Sequence, residues 1–492
     1  MLFNSLEFLF FFPIVTIIYF LIPQRWRWFH LLMASCLFYM FFIPVYIFIL
    51  IFTIIIDYYA GILIENREGK NRKRFLIMSL LANIGVLAVF KYYNFFIQNF
   101  NELFTYLKIT THEIPYLSII LPIGLSFHTF QAMSYTIEVY RGNQKAERHF
   151  GIYSLYVMFY PQLVAGPIER PQYLLPQFRE KYYFDYLRIS DGLKLMAWGL
   201  FKKVVIADRL TIIVDQVYKN PHNYHGTGLI IATLFFAFQI YCDFSGYTDI
   251  ARGAAQVMGF QLMKNFKAPY LSSSVNEFWS RWHISLSSWF KDYLYISLGG
   301  NRVTVPRWFF NLFIVFLISG FWHGAKWTFV LWGAFHGILL ILEIIKRNIF
   351  NCFSIQIKGR IFHYLSILIT FILVCGSWIF FRANKLSDLR YILLHFFDNF
   401  TLFFNFSKLK NSGVFGNLFG GGITNYSPID WTLSFILIFF IIITDRIEKK
   451  QGIIHYINSL SVYKRWFIYY IILFTIITLG KFGHNQFIYF QF

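Results

Sequence analysis

The stretch Ser319–Gly337, SGFWHGAKWTFVLWGAFHG, decides how the rest of this sequence is interpreted. It places two histidines, His323 and His336, in a run made up mainly of apolar residues, aromatic residues and glycine. An imidazole at membrane depth is costly unless it lines a cavity or has a partner, so each histidine is a functional candidate. Gly320 and Gly324 flank His323 and would let another helix or a substrate approach it closely. The alternative is that both histidines are packing residues of a multi-helix bundle.

The composition is that of an integral membrane protein. Of the 492 residues, 57% are hydrophobic and only 14% are charged, whereas about a quarter of the residues in a soluble domain are charged. The cysteines show neither a CxxC pair nor a Cys/His ligand spacing. The sequence therefore predicts no disulfide framework and no metal site.

The basic residues are distributed as in a membrane protein, although the formal net charge is +20. They form short clusters between apolar runs, as in Arg67–Arg74, Lys346–Arg347 and Lys449–Lys450. Such clusters are typical of cytoplasmic loops and of contacts with anionic lipid. We therefore expect membrane lipid, and not nucleic acid, as a partner. Basic loops after the first, third and fifth apolar segments place the N-terminus outside the membrane by the positive-inside rule.

Hydropathy predicts a single polytopic membrane domain over residues 1–492, with about 11–13 helices. One of the predicted spans is Tyr116–Ile137. Two stretches do not follow the pattern of a spanning helix. Phe159–Phe178 contains four prolines, so it is predicted to be broken or re-entrant. Lys264–Arg302 is too polar to span lipid and too aromatic for an ordinary loop, so it is predicted to be buried in protein or to line a watery cavity.

A third histidine, His283, lies in Asn276–Trp289, NEFWSRWHISLSSW, which is predicted to form one amphipathic helix. Trp279 and His283 are four residues apart and share one face of such a helix. An imidazole is the usual general base near neutral pH, and a second polar group must orient it or stabilise developing charge. Arg281 and Asp292 are candidate charge partners. The alternative is an interfacial histidine on a wet helix face.

His336 is predicted to be structural. It follows His323 by 13 residues, which corresponds to about 220° around one continuous helix. The two side chains would therefore point apart, and no metal pair is expected from them.

Charged residues also occur in Tyr241–Arg252, YCDFSGYTDIAR, which is otherwise helix-like and largely apolar. Asp243 and Asp249 indicate either an internal ion pair or a substrate path, and pairing of one aspartate with Arg252 is the favoured interpretation. Ser245 has no GxSxG frame, so a serine hydrolase is not indicated. The absence of GxGxxG, Walker A and HExxH motifs disfavours nucleotide binding and zinc proteolysis.

With these motifs in view, the chain resembles the membrane-bound O-acyltransferase (MBOAT) family. It looks closest to the branch that acetylates bacterial alginate, and it is also similar to the branch that transfers D-alanine to teichoic acid. The matching stretches are PQLVAGPIERP at Pro161–Pro171, YCDFSGYTDIARG at Tyr241–Gly253, NEFWSRWHISLSSWFKDYLYISLGGNR at Asn276–Arg302, Ser319–Gly337, SWIFFRA at Ser377–Ala383 and FIYFQF at Phe487–Phe492. One departure is Ser297, which stands where relatives often have proline.

The resemblance implies an all-α bundle of membrane helices, some re-entrant or interfacial, around a central tunnel. The core motifs would lie at residues 159–337, with peripheral helices at 1–150 and 363–492. It also implies catalytic roles for His323, in the WHG motif, and for His283, in the RWH motif. Side chains near these motifs are expected to contact substrate: Trp279, Trp282, Trp322, Asp243, Asn276 and Arg281.

The activity implied by the resemblance is transfer of an acyl group, expected to be acetyl, from a cytoplasmic thioester such as acetyl-coenzyme A. The acceptor would be a hydroxyl at the outer face, for O-acetylation of an exopolysaccharide or cell-wall polymer. No bound metal or prosthetic group is expected. The implied partner is a periplasmic or extracellular SGNH-type acetyltransferase, and the implied location is the bacterial inner membrane.

Other functions remain open at this point. Within the enzyme class, the alternatives are a D-alanyl transferase fed by a carrier protein and a lipid acyltransferase. A polysaccharide exporter or flippase is the main alternative of another class, although no internal repeat of the transporter type is seen. A third possibility is a scaffold without catalytic activity, in which replacement of His323 would leave function intact.

Overall fold

The computed structural model describes residues 1–109, 113–164, 166–352, 359–398, 426–482 and 487–488, and within these ranges it contains helices and no β-strand. The α-helices, in chain order, are α1 (Leu6–Leu21), α2 (Gln24–Met40), α3 (Ile47–Asn66), α4 (Gly69–Leu87), α5 (Tyr93–Leu107), α6 (Leu125–Arg141), α7 (Phe150–Met158), α8 (Tyr160–Leu163), α9 (Pro171–Gln177), α10 (Tyr186–Leu200), α11 (Asp208–Lys219), α12 (Thr227–Met258), α13 (Val275–Arg281), α14 (Ile284–Trp289), α15 (Val305–His323), α16 (Trp327–Cys352), α17 (Arg360–Arg382), α18 (Leu386–His395), α19 (Pro428–Lys450), α20 (Ile453–Ser459) and α21 (Val462–Leu479). Short 3₁₀ helices lie at Pro44–Tyr46, Pro221–Asn223 and Pro269–Leu271, and π-helical segments lie at Ala88–Tyr92, Phe201–Ala207 and Phe290–Tyr295.

Eight helical segments of the described chain are long and apolar enough to cross a membrane. They contain α3, α4 with α5, α12, α15, α16, α17, α19 and α21, and the shorter α1 is also apolar. A spanning helix needs about 20 apolar residues, so the prediction of a multi-span helical membrane protein is confirmed.

The predicted span Tyr116–Ile137 is wrong, because helix α6 begins only at Leu125. Pro122 disfavours helix at the residue before it, and Gly124 has a left-handed conformation with a φ of 76°. A β-carbon at Gly124 would lie 2.5 Å from the carbonyl oxygen of Leu163, so this turn also requires glycine for space.

Two compact units make up the chain, and the first contains Met1–Met196 with Tyr247–Lys264. Its helices α3, α4 and α6 are joined by a buried polar cluster. Ser79 Oγ donates to Asp57 Oδ1 at 2.6 Å, and Asn83 Nδ2 donates to both Asp57 oxygens at 2.9 Å. Such hydrogen bonds between helices satisfy polar groups that lipid cannot.

The predicted pairing of an aspartate with Arg252 is confirmed, since Arg252 Nη1 lies 3.1 Å from Asp249 Oδ1.

The second unit contains Ala197–Gly246 with Asn265–Phe492. In it, α15 and α16 pack against each other through glycines. A β-carbon at Gly320 would lie 2.3 Å from the Phe329 carbonyl oxygen, and one at Gly333 would lie 2.2 Å from the Phe316 carbonyl oxygen. Small residues at these points allow the two backbones to touch. The contact fixes the end of α15, where His323 lies.

The predicted proline-rich break is confirmed, since the described residues of this stretch, 159–164 and 166–178, contain only the short helices α8 and α9. The prediction of one domain over 1–492, with core motifs at 159–337, stays a prediction.

Candidate active site

His323 is the last residue of α15 and is only 3% exposed. Three aromatic rings surround it. The ring centroids lie 5.0 Å from Trp322, 5.1 Å from Trp332 and 5.5 Å from Phe381. The glycine contacts of the α15–α16 pair hold the backbone, and the rings exclude water from most of the imidazole surface.

His283 lies at a break between two helices, so the predicted single amphipathic helix over Asn276–Trp289 is wrong. Helix α13 ends at Arg281, Trp282 is extended, and His283 is left-handed with a φ of 45° and a ψ of 54°. Trp279 and His283 therefore do not share one face of a continuous helix. His283 has no exposed surface, which contradicts the alternative of a histidine on a wet face.

The surroundings of His283 keep its imidazole neutral. Phe244 packs edge-to-face on the imidazole, with ring centroids 4.6 Å apart. Burial lowers the pKa of His283 to about 3, because the charged form loses its hydration. A neutral imidazole carries one N–H donor and one nitrogen acceptor, so at pH 7 it has both hydrogen-bonding functions.

The structure brings the two predicted catalytic histidines together. Their ring centroids are 6.4 Å apart, and Trp322 lies beside both, at 6.4 Å from His283 and 5.0 Å from His323. The two imidazoles come from segments that are 40 residues apart in sequence. At this separation both rings are near enough to contact one small substrate group between them.

His336 has both ring nitrogens in hydrogen bonds, as expected for a structural residue. The Trp279 indole N–H donates to His336 Nδ1 at 3.3 Å. His336 Nε2 lies 3.0 Å from Ser377 Oγ, whose hydroxyl donates to the Val374 carbonyl oxygen at 2.6 Å. Nδ1 must therefore be the acceptor and Nε2 the N–H donor. This fixes one neutral tautomer, which links α13, α16 and α17.

Residues 149–383, which include both catalytic candidates, match the membrane-bound O-acyltransferase (MBOAT) family. The probable alginate O-acetylase AlgI of Pseudomonas aeruginosa is 38% identical to the chain over 390 residues, which cover 79% of the chain and 73% of the relative. The chain belongs to the membrane-bound O-acyltransferase family. It is thus an acyltransferase and a multi-pass membrane protein, and placement in the inner membrane fits its bacterial relatives.

Two further relatives show the breadth of the similarity. The peptidoglycan O-acetyltransferase of Helicobacter pylori is 36% identical over 79% of the chain and 78% of the relative. The teichoic acid D-alanyltransferase of Bacillus subtilis is 27% identical over 55% of the chain and 70% of the relative. The MBOAT resemblance inferred from the motifs is confirmed, and the O-acetyltransferases are the more similar group.

In this membrane-bound O-acyltransferase, Asp243 is engaged in a buried ionic cluster. Its Oδ1 lies 2.7 Å from Lys203 Nζ, which also lies 2.9 Å from Asp208 Oδ1. The Ile488 N–H donates to Asp243 Oδ2 at 2.8 Å. Both carboxylate oxygens thus have protein partners, and a contact of Asp243 with substrate stays a prediction.

Four of the other predicted substrate residues lie on α13 or directly after it, and Trp322 lies on α15. Arg281 forms an ion pair with Glu277 on the same helix. Trp279 donates its N–H to His336, as described above, so its aromatic ring is what it offers to a ligand. Trp282 packs on Phe278, Phe266 and Trp378, and Trp322 adjoins both catalytic candidates. Substrate contacts of these residues and of Asn276 stay predictions.

A cavity of about 480 Å³ lies beside α13, α15 and α16. Its wall includes Trp279, Asn276 and Ser319, with Ser319 one helical turn before His323. Two cationic residues, Lys291 and Arg347, and one acidic residue, Glu343, also line it. The cavity therefore combines an apolar wall with a small excess of positive charge, which suits an amphiphilic anion.

Sequence reasoning missed residues that set the geometry of this site. Phe244 lies in the stretch Tyr241–Arg252, between Asp243 and Ser245, but no role in the site was predicted for it. Asn265 accepts hydrogen bonds from the backbone just after His283, and no local pattern marks it. Lys203, the partner of Asp243, lies in a π-helical segment that apolar periodicity does not reveal.

Proposed function

We propose that this membrane-bound O-acyltransferase transfers an acetyl group from a cytoplasmic thioester, acetyl-coenzyme A, to a hydroxyl at the outer face, for O-acetylation of a polysaccharide. The observation that carries the proposal is the pair of buried imidazoles of His283 and His323, 6.4 Å apart. The relatives named as an alginate O-acetylase and a peptidoglycan O-acetyltransferase support acetyl as the acyl group and a polysaccharide as the final acceptor.

His323 is proposed as the general base. It takes the proton of the acceptor hydroxyl while the hydroxyl oxygen attacks the thioester carbonyl. The new C–O bond forms, the C–S bond breaks, and the proton passes from His323 to the departing sulfur. The products are an ester and a free thiol, so atoms and charge balance without a metal or an oxidant.

His283 is proposed to stabilise the negative charge that develops on the carbonyl oxygen. Its neutral imidazole has one N–H to donate, and its burial makes such a hydrogen bond strong. The indole N–H of the neighbouring Trp322 is the second candidate donor. Neither group has to be charged for this role.

The cavity supports entry of the donor from the side that carries Lys291 and Arg347. Both cations suit the phosphates of coenzyme A. The positive-inside rule assigns the basic ends of α15 and α16 to the cytoplasm. Ser319 and Trp279 in the same wall would then guide the thioester toward the histidines.

The acceptor side is proposed to involve a partner. A membrane enzyme that delivers acetyl at the outer face needs a carrier hydroxyl there, and the MBOAT resemblance implies an SGNH-type transferase that esterifies the polymer in a second step. The acceptor for the present chain would then be a hydroxyl that this partner presents.

The test is acetyl transfer from labelled acetyl-coenzyme A by the purified protein, with wild type compared with His323→Ala. We expect the replacement to lower kcat by about 10²–10⁴-fold, the usual contribution of a general base. His363→Ala is the matched control, because His363 is an exposed histidine and should leave kcat unchanged.

Equal activity of wild type and His323→Ala would remove His323 from the mechanism and favour a scaffold role. Absence of reaction in both, even with the outer partner added, would reject acetyl-coenzyme A as donor. A carrier-protein thioester would be tried next, and its failure would favour transport over catalysis.

A further inference from the structure

His283 has a backbone conformation that histidine rarely adopts. Its φ of 45° places it in the left-handed region, which glycine occupies without penalty and residues with a β-carbon disfavour. A chain that needed only this turn would carry glycine or asparagine here at lower cost. A strained histidine therefore indicates that the imidazole has a role where this conformation places it.

Asn265 holds the backbone directly after His283. The Ile284 N–H donates to the Asn265 carbonyl oxygen at 3.0 Å, and the Ser285 N–H donates to Asn265 Oδ1 at 3.1 Å. These are the first N–H groups of α14, which have no acceptor within the helix. The His283 side chain makes no capping hydrogen bond, so Asn265 caps α14 from a separate segment.

The residues that follow Asn265 hold the other side of His283. The Lys267 N–H donates to the Arg281 carbonyl oxygen at 3.0 Å. The Phe266 ring lies 5.0 Å from Phe244, which itself packs on the imidazole of His283 at 4.6 Å. The segment 265–267 thus fixes the backbone before and after His283 and the ring on which its imidazole packs.

Burial of the Asn265 side chain also lowers the stability of the folded protein. It is 1% exposed, and within the described part of the chain its Nδ2 has no acceptor. A buried donor without an acceptor is destabilising. The side chain is therefore best explained by the hydrogen bond that its Oδ1 accepts.

We propose that Asn265 is a positioning residue, which locks His283 in the left-handed conformation that turns its imidazole toward His323. The expected loss of kcat rests on the proposed function. The conformational restraint that Asn265 places on His283, called the lock below, is measured without turnover. Asn265 acts through His283 and touches no reacting atom.

The kinetic test is a double-mutant cycle with Asn265→Ala and His283→Ala in the acetyl-transfer assay. We expect Asn265→Ala to lower kcat by about 10–100-fold, as for a displaced catalytic group, with little change in KM for acetyl-coenzyme A. In the His283→Ala background the same replacement should have almost no further effect, because its target is already absent.

Asn311→Ala is the matched control. Asn311 is also a fully buried asparagine, and its Nδ2 donates to the carbonyl oxygens of Leu298 and Gly300, both at 3.1 Å. It should change kcat by the same factor in both backgrounds. Independent, multiplicative effects of Asn265→Ala and His283→Ala would overturn the proposal.

The lock is measured by diethyl pyrocarbonate labelling of His283, read by mass spectrometry and normalised to the exposed His363. We expect Asn265→Ala to raise the labelling rate of His283 several-fold, and Asn311→Ala to leave it at the wild-type rate. Asn265→Asp keeps the Oδ1 acceptor and should stay near wild type. If Asn265→Ala yields no folded protein, Asn265→Gln replaces it. Asn265→Gln moves the oxygen by one methylene, so it should also raise the labelling rate of His283 several-fold.

An unchanged labelling rate at His283, or an equal rise in Asn311→Ala, would overturn the lock. A wild type that transfers no acetyl group, combined with raised labelling in Asn265→Ala, would reject the proposed function and leave the lock standing. The two failures are thus distinguishable.

Discussion

The two catalytic candidates reach their places by different routes. His323 ends a regular helix, α15, whose contact with α16 depends on glycines at 320 and 333. His283 lies at a break in which a left-handed residue separates two short helices, and the break is held by Asn265. One imidazole is placed by helix packing, and the other is placed by hydrogen bonds from a separate segment.

The difference predicts whether a substitution near each histidine affects folding or the reaction. Packing of two helices through glycine tolerates no added volume, so a change there should act through folding. A break held by a few hydrogen bonds can change locally while the helices remain, so a change there should act mainly on the reaction. The predictions below test that distinction.

The largest effect is expected from Gly320→Leu. A β-carbon there would meet the Phe329 carbonyl oxygen at 2.3 Å, so α15 and α16 must separate and folded protein should be lost. Size-exclusion chromatography in detergent measures the folded yield. Gly376→Leu is the control, because a β-carbon at Gly376 meets no atom within 4 Å. A normal yield and activity for Gly320→Leu would contradict the packing role.

His283→Ala should fold and yet lower kcat by about 10²–10³-fold, the usual effect of removing an oxyanion donor. The loss should be smaller than that of His323→Ala, which removes the base itself. Parallel assays with labelled acetyl-coenzyme A give the comparison. A larger loss in His283→Ala than in His323→Ala would reverse the two assigned roles.

Ser377→Ala tests the structural role of His336. The replacement removes the acceptor for His336 Nε2–H and should lower the free energy of unfolding by about 1–3 kcal/mol, with kcat per folded molecule unchanged. Thermal unfolding and the transfer assay together separate the two quantities. Ser366→Ala, on the exposed face of the same helix, should change neither, and a fall in kcat for Ser377→Ala would make His336 part of the reaction.

An effect of similar size is expected in the pH dependence of stability. The pKa of His283 is about 3 in the folded protein and about 6.5 when unfolded, so the unfolded state binds the proton first. Stability contributed by the neutral imidazole is full above pH 6.5 and is lost as pH falls toward 3, by about 1.4 kcal/mol per pH unit. His283→Asn tolerates the left-handed conformation and should have a shallower slope between pH 6.5 and 5. An unchanged slope would mean that His283 is not buried neutral.

Much of the fold was predictable, because apolar length alone identifies spanning helices. The span at Tyr116–Ile137 failed because Pro122 and Gly124 delay the helix, and hydropathy does not register backbone conformation. His323 was identifiable because an imidazole in an apolar glycine-rich run is unusual in sequence. His336 was predicted to be structural from its spacing on one continuous helix, but His323 and His336 lie on separate helices, α15 and α16, so that premise was wrong.

The geometry around His283 was not predictable, since its cause is distant in sequence. The periodicity of Asn276–Trp289 indicates one helix, and no residue within it signals the left-handed turn. The hydrogen bonds that Asn265 accepts from Ile284 and Ser285 become apparent only when the segments are in contact. Asp243 was singled out for its charge, yet its partner Lys203 lies in a π-helical turn that periodicity does not reveal.

The π-helical segment Phe201–Ala207 has a consequence for how this family can vary. Its widened turn lets the consecutive residues Lys202 and Lys203 both reach α12, where Lys202 Nζ donates to Ser245 Oγ at 2.9 Å and Lys203 pairs with Asp243. Deleting one residue would restore an ordinary helical turn, in which consecutive side chains point about 100° apart, so that the two lysines would no longer both face α12. Asp243 would then be buried without its cation. Insertions and deletions should therefore be excluded from this segment in functional homologues, and because all seven of its residues are buried, larger side chains should be excluded from it as well.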